Sequence, residues 1–196
     1  GLPVDELTQA VDRWIWPMSF GATKLLSSVE RARQAFSIDD ERRTFFPIPW
    51  LENEPKDLRS ENGGPARLRQ VWFAGAHANV GGGYPDDRLA HIPLCWMIGE
   101  AAEAGLRFDA EIVADYWDNA SESGRRYDPR SGSGVFYRYH PRSAHELMNK
   151  VDDPGAVKRA PLVDASAIIR MAKGSDQYGP IALPEEIDVL TPYDDI

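Results

Sequence analysis

The stretch Val71 to Tyr84, VWFAGAHANVGGGY, limits the fold of this chain more than any other. Val71, Trp72 and Phe73 form an apolar, β-favouring run that stops at Gly75. Extended back to Leu68, the run is apolar on both faces. It is entered from a loop and followed by a helical pattern, and such a strand belongs in a parallel sheet between helix layers. A histidine, His77, stands just past the stop. Gly81, Gly82 and Gly83 come next, with no Cβ to prevent positive φ angles or the close approach of another group. Pro85, Asp86 and Asp87 then supply turn and N-cap chemistry, and an apolar helix pattern opens from about Leu89.

A parallel strand needs neighbours, and the rest of the sequence offers at most one or two weak candidates, one of them Val135 to Tyr139. The chain therefore reads either as mostly helices around one or two parallel strands or as part of a larger α/β domain. Helical spacing covers Val4 to Ile15, stopped by Pro17, and Ala22 to Phe36, where Leu25, Val29, Ala32 and Phe36 share a side. The helix from Leu89 runs to Ala104, with Gly105 as its stop, and a further one spans Phe108 to Trp117. Asn119 to Ser143 reads as a long loop, with short helices beyond it at Ala144 to Val151 and Ala165 to Lys173. Leu51 to Ala66 is polar and reads as an exposed loop.

Composition removes several function classes. A formal charge of −9 argues against a nucleic-acid partner, because phosphate binding needs a basic surface. The single cysteine, Cys95, lies in the apolar helix pattern, so it allows no internal disulfide and reads as a buried thiol. No run approaches the ~18 apolar residues of a membrane span, and a soluble chain is expected. The histidines show no paired spacing for a metal, and no Walker lysine or G-x-G-x-x-G pattern accompanies the glycines. No metal and no cofactor is expected.

An imidazole in a loop beyond the C-terminal end of a strand can take a proton from a hydroxyl and return it to a leaving group. The same residue could equally be a structural histidine bonded to its loop, and spacing alone leaves both open. The charged block Asp39 to Arg43 also has two readings. Asp40 could partner His77, or the block could be an ion-pair anchor with Phe46 and Trp50 as apolar pegs; the second is the commoner use of such clusters.

Longer stretches resemble a known family. GAHANVGGGYPDDRLAHIPLCWMIGEAAEAGL is similar to a GxHSDVGGGY signature followed by an L-x-x-I-x-L-x-W-M helix, and SIDDERRTFFPIPW resembles a DERR-x-F-x-P-x-x-W block. YGPIALPEEIDVL is similar to the same family's closing Y-x-P-x-x-LP segment, and GLPVDELTQAV to the segment just after its WDTV strand. The family is the uncharacterised α/β-hydrolase domain related to type VI secretion phospholipase effectors. The resemblance implies the C-terminal part of an α/β-hydrolase-like fold over residues 1–118, carrying the His loop, and a loop-rich helical extension over residues 119–196.

It further implies that His77 is a catalytic base, that Gly81, Gly82 and Gly83 shape its loop and that Tyr84 lines the site. Asn79 departs from the family's usual aspartate. A serine nucleophile needs a G-x-S-x-G elbow, which the sequence lacks; the SGSG at Ser131 to Gly134 has no preceding strand. In the family the elbow and the acid lie upstream. The expectation is a portion of a serine esterase or phospholipase that supplies the triad histidine and is inactive alone, acting on a lipid or ester. Implied partners are a membrane surface and a secretion-system or immunity protein, with the chain cytoplasmic in its producing cell and delivered as an effector. The alternative is a non-catalytic module, binding protein or lipid, that keeps the hydrolase loop.

Overall fold

The computed structural model describes residues 24–52, 66–149 and 159–191. The helix expected over Val4 to Ile15 and most of the polar loop before Ala66 lie outside the described residues. Four parallel strands form one sheet in the order β1, β2, β3, β4. They are β1 (Ala32–Ser37), β2 (Leu68–Phe73), β3 (Leu162–Asp164) and β4 (Asp188–Leu190). The helices are α1 (His77–Gly81), α2 (His91–Glu103), α3 (Ala110–Asn119), α4 (Ala144–Asn149) and α5 (Ala165–Ala172). The fold is α/β, and the sheet has four strands where one or two were expected. β3 and β4 are too short for alternation to announce them.

β2 is the centre of the sheet. Trp72 and Val71 are fully buried and Phe73 almost so, as a strand covered on both faces requires. On one face Trp72 meets Phe36 at 4.8 Å between ring centroids, within a core that includes Leu89, Ala144, Val163, Ala167 and Tyr178. On the other, Phe73 packs against Trp96 of α2 at 5.4 Å. Cys95 of α2 is buried and free, and burial raises its thiol pKa.

The helix expected over Ala22 to Phe36 gives way to β1. Its six residues pair in parallel register with β2, Ala32 opposite Leu68 through Ser37 opposite Phe73. Ladder pairing with a buried strand outweighs a four-residue apolar spacing that would have had no comparable surface to cover. The register also sets Arg33 beside Arg69. Like charges in register repel, and buried Glu100 of α2 resolves this by accepting from Arg33 Nε and, at 2.6 Å, from Arg69 Nη1.

Around Val135 the expected strand is a 3-10 turn over Gly132–Phe136, followed by an isolated antiparallel bridge between Tyr139 and Arg42. Asp109 caps α3 by accepting from the Glu111 and Ile112 N–H groups. Asp164 caps α5 in the same way through Ser166.

Candidate functional site

β2 ends at Phe73, and the chain turns at Gly75 to begin α1 with His77. Gly75 has φ +105°, and a Cβ there would stand 2.3 Å from Asn79 Cβ and 3.1 Å from Leu89 Cδ2. Only glycine fits this turn. Gly75→Ala is expected to lose about 2–4 kcal/mol of stability in urea denaturation, from left-handed backbone and overpacking together. A loss below about 1 kcal/mol would contradict the geometry. Of the three later glycines, Gly82 and Gly83 have positive φ, +83° and +112°, while Gly81 closes the helix.

Two adjacent aspartates hold this turn from the end of β1. Asp39 takes the Gly75 N–H at 2.6 Å and gives its own N–H to the Gly75 carbonyl at 3.0 Å, extending the ladder past the strand ends. The Tyr178 hydroxyl donates to the same carboxylate at 3.0 Å. Burial raises the Asp39 pKa above the ordinary carboxylate value and raises that of Tyr178 as well. Asp40, fully buried, accepts from Arg42 Nε at 3.0 Å and Nη2 at 2.7 Å, and from the His77 backbone N–H at 3.3 Å. Desolvation pushes the Asp40 pKa up, and the Arg42 hydrogen bonds with the Arg142 charge outweigh it, so the net shift is downward.

Asp40 thus meets the backbone of His77 and not its ring. Its second cation is Arg142, 3.9 Å away, whose Nη1 donates to Ser37 O and Oγ, both at 2.6 Å, and whose Nη2 donates to the Phe45 carbonyl. Burial pulls the Arg142 pKa down to about 10. These bonds fix Phe45, whose ring lies edge-on to His77 at 5.6 Å between centroids. The Arg42 guanidinium lies 3.7 Å from the centroid of the Phe45 ring, and Tyr137 meets that ring edge-on at 5.5 Å.

The exposed His77 ring opens on a cavity of about 570 Å³, along with Val80, Gly81, Gly82, Pro93, Leu94 and Met97. Arg33, Ser37 and His91 also face it. His91 lies 3.5 Å from Asp87 and edge-on to Tyr116. Asn79 and Tyr84 are elsewhere. Tyr84 stacks on Tyr127 at 4.1 Å between centroids, and Asn79 is buried beneath the loop.

Asn79 Oδ1 accepts from the Ala76 and Tyr127 N–H groups, both at 3.2 Å, and Nδ2 donates to the Arg125 carbonyl at 3.0 Å. An aspartate could make the first two bonds but not the third. Asn79→Asp is expected to cost about 1–3 kcal/mol in thermal denaturation at neutral pH, because a buried carboxylate would face a carbonyl. A neutral or stabilising outcome would remove Asn79 as the tie between this loop and the backbone of Arg125 and Tyr127.

Phe45 touches the histidine, and Arg42 and Tyr137 pack against Phe45 in turn. Arg42 and Phe45 fall on the DERR-x-F block, whereas the signal for Tyr137 is the aromatic and arginine content of 125–142. Among the described residues, no group of three His, Cys, Asp or Glu side chains is arranged to hold a metal ion, and no helix is long and apolar enough to cross a membrane.

Residues 2–100 match the family model described as T6SS, Phospholipase effector Tle1-like, catalytic domain. The chain belongs to this family. It is also similar to the uncharacterized protein YEL023C of Saccharomyces cerevisiae, 33% identical over 54 residues, which is 25% of this chain and 8% of that protein. The chain thus spans a small part of that relative's length. No solved structure matches. In this Tle1-like chain the matched segment contains β1, β2, the aspartate pair, His77 and most of α2, so the cavity beside His77 is almost entirely within the family's own region.

Proposed function

We propose that His77 is the general base of a serine-type lipid esterase, with the nucleophile and the acid supplied by chain preceding residue 1. In this reading the imidazole takes the proton of a serine hydroxyl as its oxygen attacks the ester carbonyl. The proton then passes to the departing alkoxide, and water releases the acyl group by the same route in reverse. The observation that carries the proposal is the place of His77: beyond the C-terminal end of a central parallel strand, ring exposed, facing a cavity walled by Val80, Pro93, Leu94 and Met97. Apolar walls suit an acyl chain. The matched family's phospholipase description supports a phospholipid as substrate and delivery as a secreted effector as the route.

Residues 1–118 would carry the histidine loop, and residues 119–196 would buttress it through Asn79 and Arg142. The second reading, a non-catalytic lipid- or protein-binding module, draws on one observation: among the described residues the His77 ring has an aromatic contact but no hydrogen bond. The test is phospholipid hydrolysis by the full-length reading frame, native and His77→Ala, scored as released fatty acid. Loss of turnover supports the base; turnover retained within about tenfold favours the binding module.

A further inference from the structure

The segment 125–142 has a composition unlike the rest of the protein. It holds five arginines and one carboxylate, Asp128, in a chain whose formal charge is −9. It also carries the most exposed large apolar residue among those described, Phe136 at 89%, next to Val135 at 59%. Such a tip gains nothing from the core. The 3-10 turn that projects it is rigidly footed: Gly134 packs so closely on the Pro129 carbonyl that a Cβ would lie 2.3 Å from it. The next residues zip onto the Asp40 turn, where Arg43 N–H donates to the Arg138 carbonyl at 3.2 Å and His140 N–H to the Glu41 carbonyl at 2.7 Å.

That zipper brings exposed Arg43 and Arg138 to the base of the apolar tip. Tyr139, half exposed, lies beneath the Arg130 guanidinium at 4.8 Å. Among the described residues, Glu41, half-buried, and Asp128 supply carboxylates close to this zipper. Apolar side chains flanked by aromatic rings, with arginines at their base, match a lipid interface, where the tip enters the acyl boundary and the cations meet phosphates. The catalytic cavity is close by. Tyr137, one residue from the tip, touches Phe45, and Phe45 touches His77.

We propose that this segment, with Val135 and Phe136 as an apolar wedge and Arg43 and Arg138 as its charged collar, docks on an anionic phospholipid surface and turns the His77 cavity toward it. The orientation toward lipid rests on the esterase reading; the docking does not. An overall acidic protein is repelled by an anionic bilayer, so attraction must come from this local patch and must weaken as salt screens it.

The experiment is flotation of the full chain with vesicles of phosphatidylcholine, with and without about one quarter phosphatidylglycerol. The expected result is binding that requires phosphatidylglycerol and weakens at high salt. The Val135→Ser, Phe136→Ser double variant should bind at least about tenfold more weakly, and Arg43→Glu with Arg138→Glu should erase the phosphatidylglycerol preference. His77→Ala should float like the native protein, which separates docking from catalysis; its loss of binding would move the surface away from this segment. Phe136→Trp gives a check that needs no disruption, since its emission should shift to the blue on anionic vesicles. Native protein indifferent to phosphatidylglycerol, wedge variants that bind normally, or an unshifted Phe136→Trp spectrum would each overturn the proposal.

Discussion

Asp40→Ala should cost about 3–5 kcal/mol in urea denaturation, the usual cost of stripping one partner from a buried ion pair. Asp40 is fully buried between two cations, and its removal leaves Arg42 and the His77 N–H short of an acceptor and Arg142 short of a counter-charge. Arg142 feels this most, because its side chain is only 2% exposed and cannot turn to water. Asp40→Asn should lose less, since an amide oxygen still accepts one N–H while the charge is gone. A cost below about 1 kcal/mol for Asp40→Ala would mean that the turn is held by Asp39 alone.

The pair also predicts a pH signature, with opposite signs for adjacent residues. The Asp40 pKa is lowered on folding, so its stabilisation is complete above the unfolded value of about 3.9 and is lost as pH falls through the folded value. The Asp39 pKa is raised on folding, so its contribution is complete below that unfolded value and is lost as pH rises through the folded one. Asp39→Asn should therefore flatten the decline above the carboxylate range while leaving the acid limb, and Asp40→Asn should flatten the acid limb.

β2 could be read from the sequence because both of its faces are apolar, a pattern few other elements produce. β1 could not. Leu25, Val29, Ala32 and Phe36 mimic a helical stripe, and what makes Ala32–Ser37 a strand is the ladder to β2 and the Glu100 clasp on Arg33 and Arg69, both set by distant residues. The DERR block announced charge but not purpose. Whether Asp40 reaches the His77 ring or its backbone is a matter of ångströms that spacing does not encode. Asn79 carried a signal of another kind, a departure from the related motif. Its meaning became readable only with the Arg125 carbonyl placed against Nδ2. Tyr137 reaches the site from a loop, where no periodicity marks a residue for a role.

His77→Ala in the full-length protein should lower kcat for phospholipid by about 10²- to 10⁴-fold with KM little changed, the share usual for a general base. The ring stands on the exposed side of α1 and makes an edge contact with Phe45, so its removal opens space without uncovering the core. That vacated space makes a sharper test. If the ring acts by moving a proton, added imidazole should enter the gap and restore part of kcat, whereas it should do nothing for Gly75→Ala, whose defect is in the backbone. Phe45→Ala, which removes the edge that orients the ring but leaves the base, should fall between native and His77→Ala. Phospholipid turnover preserved within about tenfold in His77→Ala would end the base assignment. Full loss without imidazole rescue would make His77 a residue that shapes the loop, because a proton carrier can be replaced from solution and a positioning contact cannot.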